Sequence, residues 1–481
     1  MSLVTGREYI NRIDGLGNEV WIGGERVKGK LSEHPAFKGI LKSKAAMYDR
    51  QVAEPDIFTR KVPGSDDKIG FSYHQPRSKN DLIMRMQATT EWARMNAGMM
   101  GRPPDYINTG IMALASNLPF YEKYDRRLGE SISSIYKLAC LHDLTFTHTL
   151  INPQVNRSLS YFEYEEKPIA AKVIAETKDG LVLHGARVLA TQGGLTDEIL
   201  VLPAGGTYID SSYMYGFCIP SNTPGMKFIC RESFAGTDCG FDYPLSSQFE
   251  EMDSIVVFDH VTIPWDRVFL YKHTEQALKL SSETQFYTML LFQAVIRQTV
   301  KTEFMLGVAE KLVRTIDVGD YQHIKDKMSE IITSLEIMKS LLYSSVEQSR
   351  PAASGMYIPA EAPLNAAIYY YPRLYPRLAQ IIQQIGASGL IAIPSSKDFT
   401  SDIRPDLDQY LQAAAASAPE RVQSFRLAWD LTMSAFGSRQ TLYEQYFFGD
   451  PIRLSMGLYN DFNLDPYVDR VDIFMKDSSI E

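Results

Sequence analysis

Cysteine is scarce in this chain. Cys140, Cys218, Cys230 and Cys239 are the only four in 481 residues, and no two form a C-x-x-C pair. That excludes a disulfide-stapled scaffold and makes the thiols reduced, buried small hydrophobes. No run of 18 apolar residues occurs, so no membrane-spanning helix is expected. The stretch Met1 to Asp14 is polar and lacks an apolar signal core, which points to the cytoplasm. Positive charge is not in excess: 49 Lys and Arg face 58 Asp and Glu, a net charge of −9. A nucleic-acid partner, which needs clustered cations, is not expected. There is no G-x-G-x-x-G after a strand and no G-x-x-x-x-G-K-[ST]. Gly15-x-Gly17 lacks the third glycine and its strand–helix setting, so neither a dinucleotide fold nor a P-loop is expected. H-E-x-x-H and G-x-S-x-G are missing as well.

What remains is an ordinary globular composition, 45% hydrophobic and 22% charged. At roughly 150 residues per domain the length suggests about three units, and the patterning shows three zones. Residues 1–157 carry helical periodicity broken by loops. One helix begins near Lys79 and is expected to run to the Gly101-Arg102-Pro103-Pro104 break, because prolines cannot continue a helix. A second lies around Ile135 to Leu141. Residues 158–275 read as short strands: Ala170 to Glu176 and Leu181 to Ala190 flank a Lys178-Asp179-Gly180 turn. Ile199 to Leu202, Tyr213 to Ile219, Met226 to Cys230, Ser254 to Phe258 and His260 to Ile263 follow. With no helices between them, they predict an antiparallel barrel or sandwich. Residues 276–481 return to long helices. Met289, Phe292, Ile296, Val300, Phe304 and Val308 step by three and four, as do Ile324, Met328, Ile331, Leu335, Met338 and Leu342. Such stripes belong to an antiparallel bundle, continued by helices near Leu364 to Ile385 and Pro419 to Phe447.

Five motifs carry possible chemistry. Arg102-Pro103-Pro104-Asp105-Tyr106 holds a guanidinium and a phenol on a stiff loop that could bind an oxyanion or phenolate; a solvated Arg beside a half-buried Tyr is the plainer alternative. Thr147 to Arg157 is rich in donors. Its His148 suits acid–base work near neutral pH, and Gln154, Asn156 and Arg157 could reach a ring edge or a phosphate; an ordinary hydrogen-bonded loop is the alternative. Ala190-Thr191-Gln192-Gly193-Gly194 allows close backbone approach to a ligand, or is only a tight turn. Gln384 to Gly389 reads best as a helix C-cap. Gln445-Tyr446-Phe447-Phe448-Gly449-Asp450-Pro451 ends a long helix with rings that could stack on a cofactor or simply pack.

Taken in order, Arg-x-x-Asp-Tyr, the His148 to Arg157 segment, the Ala-Thr-Gln-Gly turn, Phe258-Asp259-His260-Val261-x-Ile263-Pro264-Trp265 and Phe-x-Gly-Asp-Pro resemble one family over nearly the whole chain. It is the family of oxygenase components of 4-hydroxyphenylacetate 3-monooxygenases. The resemblance implies an α+β, acyl-CoA dehydrogenase-like fold: an N-terminal helical domain, a middle antiparallel β-barrel and a C-terminal helical bundle. It implies a two-component flavin monooxygenase, in which a separate NADH-dependent reductase supplies reduced FAD by diffusion. Reduced FAD and O2 then form a C4a-hydroperoxide that hydroxylates a phenol ortho to its hydroxyl, giving 3,4-dihydroxyphenylacetate from 4-hydroxyphenylacetate.

By the same resemblance Arg102, Tyr106 and His148 are catalytic. Arg102, Pro103, Pro104, Asp105, Tyr106, His148, Ala204 and Gly205 are implied at the substrate. His148, Thr149, Leu150, Gln154, Val155, Asn156, Arg157, Thr191, Tyr446, Phe447, Phe448 and Gly449 are implied at the flavin. A lid after the Ile199 to Leu202 strand, hinged at Gly205-Gly206, and a homotetramer joined through the bundle are also implied. One departure stands out: the family's small hydroxyl-bearing pair that anchors the substrate carboxylate is replaced by Pro203-Ala204-Gly205-Gly206-Thr207. A chlorophenol or other phenol monooxygenase is therefore the nearest alternative. A 4-hydroxybutyryl-CoA dehydratase would need cluster cysteines that Asn96 to Met100 and Phe286 to Val313 lack. A non-catalytic flavin-fold binding protein would have no use for Arg102, Tyr106 and His148 together.

Overall fold

The computed structural model describes residues 3–62, 67–155, 169–204, 211–237 and 239–477. The Gly205-Gly206 hinge, with Asn156 and Arg157, lies outside the described residues, as does the 157/158 boundary.

The centre of the molecule is the helix Phe286–Ile316. Every residue from Thr288 to Thr302 is buried, so this helix is enclosed on all sides rather than laid on a core. It packs against Gln322–Glu347, Glu361–Gly386, Ala418–Thr432 and, from the N-terminal half, Lys79–Met95 and Pro104–Leu114. Glu361–Gly386 stays helical through Pro372 and Pro376, because packing outweighs the cost of two interior prolines. The helix expected over Pro419 to Phe447 is two helices, Ala418–Thr432 and Ala435–Tyr446, the second restarted by Ser434, whose hydroxyl accepts from Gly437 N. The helix starting at Lys79 ends at Met95, ahead of the prolines, since Ala97 (φ 52°) and Gly98 (φ 70°) turn the chain first. Gly98 is required there: a Cβ would stand 2.7 Å from the Lys301 Cβ.

Among the described residues, a six-stranded and a four-stranded sheet face a shared core of Leu181, Leu183, Tyr215, Phe217, Phe228, Phe258 and Ile263, with two further two-stranded sheets elsewhere. The strands Gly180–Thr191 and Asp253–Pro264 pair antiparallel over their length and are interrupted by bulges that bend them. Two expected strands, before and after Asp259, are thus one bulged strand. Two parallel pairs depart from the expected antiparallel pattern. Both come from the N-terminal half: Val20–Ile22 joins Met226–Cys230, and Phe146–Thr149 joins Glu198–Val201. The second of these carries His148 beside the helix Pro104–Leu114. All four cysteines are free. Among the described residues, no helix is long and apolar enough to cross a membrane.

Candidate functional site

The Arg102 loop is fixed from below by a buried carboxylate. Glu251 accepts the backbone N–H groups of Gly101 (2.8 Å) and Arg102 (2.7 Å) and the Gln192 amide at 3.0 Å. Gln192 also donates to the Arg102 carbonyl at 2.8 Å and accepts from the buried Lys44 ammonium at 2.9 Å. The Ala-Thr-Gln-Gly turn therefore acts here as a brace for Arg102. Gly101 is needed because a Cβ would lie 2.2 Å from the Tyr443 ring. Pro103 caps and Pro104 begins the helix Pro104–Leu114, which sets Tyr106 in its first turn.

The Arg102 guanidinium sits against three rings: 4.2 Å from the Phe447 centroid, 4.4 Å from Tyr106 and 5.5 Å from Tyr443. Among the described residues its one side-chain hydrogen bond goes to the Gly101 carbonyl, 3.1 Å away, and Nε has no partner. Among the described residues no carboxylate pairs with it. Cation–π contact holds the charge in place without neutralising it, leaving donors for an anion.

His148 stands on the buried strand Phe146–Thr149, its ring 6.1 Å from that of Tyr106. It is buried, and among the described residues Nδ1 has no hydrogen-bond partner. Burial first, and the Arg102 charge second, push its pKa well below the usual imidazole value. The group is neutral at physiological pH. Burial also keeps the Tyr106 phenol protonated, against the opposing pull of Arg102 and Arg297.

Behind Phe447 lies a second cation. Arg297 is 4.8 Å from the same ring centroid. Unlike Arg102 it is paired: its Nη2 donates to Glu444 at 3.0 Å, and Lys301 reaches Glu444 at 2.8 Å. Arg297 also donates to Gly98 O at 3.0 Å, and Lys301 to Gln440. Two cations hold the Glu444 carboxyl well below the ordinary range despite complete burial. The network bolts Ala435–Tyr446, and with it Tyr443 and Phe447, onto the central helix.

The other sequence-selected residues divide. Asp105 is turned away from Arg102: it is buried, accepts from Gln293 at 3.2 Å, and burial raises its pKa to about 7. The Thr149 hydroxyl donates to Val188 O (2.8 Å) and that of Thr191 to Asp253 (2.9 Å), leaving each only acceptor capacity. Asp253 is itself clamped by Arg439 at 2.7 Å. Leu150 is half-buried, while Gln154 and Val155 are exposed. Phe447 contacts Tyr106 and Tyr443, and Phe448 packs on Tyr287. Tyr446 and Gly449 are exposed, and Ala204 is half-exposed beyond the end of the strand Glu198–Val201. A polar planar ring fits beside the segment that follows His148, because Asn152 Oδ1 is buried and has no partner among the described residues.

Tyr443, Glu251, Arg297, Lys301 and Glu444 were not singled out from sequence. The available signal was polar side chains at four-residue spacing: Arg297 and Lys301 on one helix, Gln440 and Glu444 on the other.

The model of the 4-hydroxyphenylacetate 3-hydroxylase N-terminal family matches residues 5–270, and that of its C-terminal family matches residues 277–476. The chain is 51% identical over 477 residues, 99% of each chain, to a probable 4-hydroxyphenylacetate 3-monooxygenase of Bacillus subtilis. It superimposes at a TM-score of 0.94, with 41% identity and 99% of each chain covered, on the crystal structure of a 4-hydroxyphenylacetate 3-monooxygenase oxygenase component complexed with FAD and 4-hydroxyphenylacetate. An acyl-CoA dehydrogenase from Geobacillus kaustophilus shares the fold alone, at a TM-score of 0.51 and 11% identity over 90% of this chain and 95% of that one. Across both halves, the chain belongs to the 4-hydroxyphenylacetate 3-hydroxylase family.

Proposed function

We propose that this protein is the oxygenase component of a two-component flavin monooxygenase that converts 4-hydroxyphenylacetate to 3,4-dihydroxyphenylacetate. The net reaction consumes the phenol, O2 and reduced FAD and yields the catechol, water and oxidised FAD. A separate reductase makes the reduced FAD, in keeping with a chain that has no dinucleotide fingerprint of its own. Bound reduced flavin supplies, with O2, the electrophilic oxygen.

The protein's own residues prepare the ring. Ionised phenol is the better nucleophile at its ortho carbon. His148, neutral and with Nδ1 unpartnered, takes the phenol proton there. Arg102 stabilises the resulting oxyanion, and Tyr106 donates its hydroxyl to orient it. The Phe447 and Tyr443 rings exclude water from the guanidinium, which strengthens its field and protects the oxidant from wasteful collapse. The observation carrying this reading is a half-buried arginine that has no carboxylate partner among the described residues, beside a histidine that burial keeps neutral.

The protein works in the cytoplasm as a homotetramer. Support for assembly comes from the last two helices, Pro451–Asp461 and Asp465–Asp477, where Ile452, Tyr459, Val471 and Ile473 are exposed. The test supplies enzymatically reduced FAD, O2 and 4-hydroxyphenylacetate to the purified chain and assays the catechol. Coupled formation of 3,4-dihydroxyphenylacetate is expected. Peroxide without catechol from this phenol and from a panel of other phenols would overturn the reading.

A further inference from the structure

Away from the Arg102 cluster, the bulge between Gly180–Thr191 and Asp253–Pro264 gathers three metal-binding side chains. Phe258 pairs with Gly185 and Val261 with Leu183, so Asp259 and His260 together oppose the single residue His184. That two-against-one count, with His260 in the left-handed region at φ 54°, brings both side chains to the face carrying His184. The backbone there is held by the Asp259 N–H donating to Gly225 O at 2.9 Å.

One carboxylate oxygen is the focus. Asp259 Oδ1 lies 2.8 Å from His260 Nδ1 and 3.6 Å from His184 Nδ1. The imidazole rings face each other with centroids 4.4 Å apart. One donor atom from each residue fits within a 4.8 Å span. A tetrahedral site with metal–ligand bonds of about 2.0–2.1 Å has donor–donor edges of about 3.3 Å, between the two Asp259 distances. Small rotamer shifts would therefore close the three donors on an ion. His184 Nδ1 is shielded from solvent and makes no hydrogen bond among the described residues, which suits it to ligate. The charge of the nearby Lys227 opposes a cation.

We propose that His184, Asp259 and His260 form a binding site for a divalent transition-metal ion, with Zn2+ the best match. Two imidazoles and one carboxylate suit zinc, nickel or copper rather than magnesium or calcium. The fourth position is left to water. Bound metal would cross-link the two longest strands at their bulge, and hydroxylation has no need of it.

The test is equilibrium dialysis of the chelator-treated full chain against Zn2+, in a Cys239→Ser background that removes the half-exposed thiol. One ion per chain is expected. His184→Ala and His260→Ala should each weaken binding at least ten-fold, with melting of the metal-free protein unchanged because both side chains are partly solvent-exposed. Asp259→Asn should weaken it as well, and Co2+ should give visible bands in the parent that the variants lose. His323→Ala, on the exposed surface, should leave binding alone. Absence of stoichiometric Zn2+ binding, or equal binding in parent and variants, would overturn the proposal.

Discussion

Two arginines press on opposite neighbourhoods of one ring and have opposite surroundings. Arg102 and Arg297 lie 4.2 and 4.8 Å from the Phe447 centroid. Arg297 has Glu444 as counterion, shared with Lys301. Arg102 has aromatic faces and a backbone carbonyl. The first arrangement settles its charge and serves architecture. The second leaves its charge without a counterion among the described residues, which is the basis for its proposed role at the phenol oxygen. Depth of burial does not mark Arg102, since Arg297 is fully buried and Arg102 only half-buried. The missing partner is the informative feature.

The largest effect should come from breaking the paired side. Glu444→Gln leaves Arg297 and Lys301 buried without full compensation, at a cost of about 3–5 kcal/mol. Denaturant melts should show it. Replacing the trio with Arg297→Met, Lys301→Met and Glu444→Leu should restore much of that stability, because the whole charge set is then gone.

On the unpaired side, Arg102→Met should lower kcat/KM by about 10²–10³-fold, the scale of a lost oxyanion donor. The melting temperature should stay near the parent value, since no counterion is stranded. The same variant removes the second cause of the depressed His148 pKa, so the imidazole should titrate closer to its ordinary value. NMR of the ring resonances would follow this.

The pH dependence of stability separates the two sides further. The folded pKa of Glu444 is depressed, so the unfolded chain binds its proton first as acid is added. Its stabilising contribution is complete above the usual glutamate value of 4.5 and is lost as pH falls toward the lowered one. Glu444→Gln should flatten that part of the stability curve. The smallest effect is expected from Phe447→Leu, which removes the ring shared by both cations. A loss of about 1 kcal/mol in stability is expected, with a modest rise in KM for the phenol.

Much of this was legible in the sequence. Helical stripes stepping by three and four gave the bundle, and Arg102, Tyr106 and His148 stood out as donors on stiff or polar segments. What was hidden is long-range. Nothing local says that Val20 and Phe146 leave the helical half to pair in parallel with later strands. Nor does the Met433-Ser434 break announce itself inside a run that reads as one helix. Glu251 and Tyr443 brace Arg102 from about 149 and 341 residues away in sequence, so only the fold makes them neighbours. The Ala-Thr-Gln-Gly turn was visible as a place of close approach. That it approaches the Arg102 carbonyl through Gln192 was not.

The most direct test is a single turnover. Parent and Arg102→Met proteins, each loaded anaerobically with reduced FAD and 4-hydroxyphenylacetate, are mixed with O2, and catechol and peroxide are measured together. Catechol from the parent, and mainly peroxide from a variant that melts at the parent temperature, is the predicted result. Equal catechol yield and rate from both proteins would contradict the assignment of the unpaired arginine to the phenol oxygen.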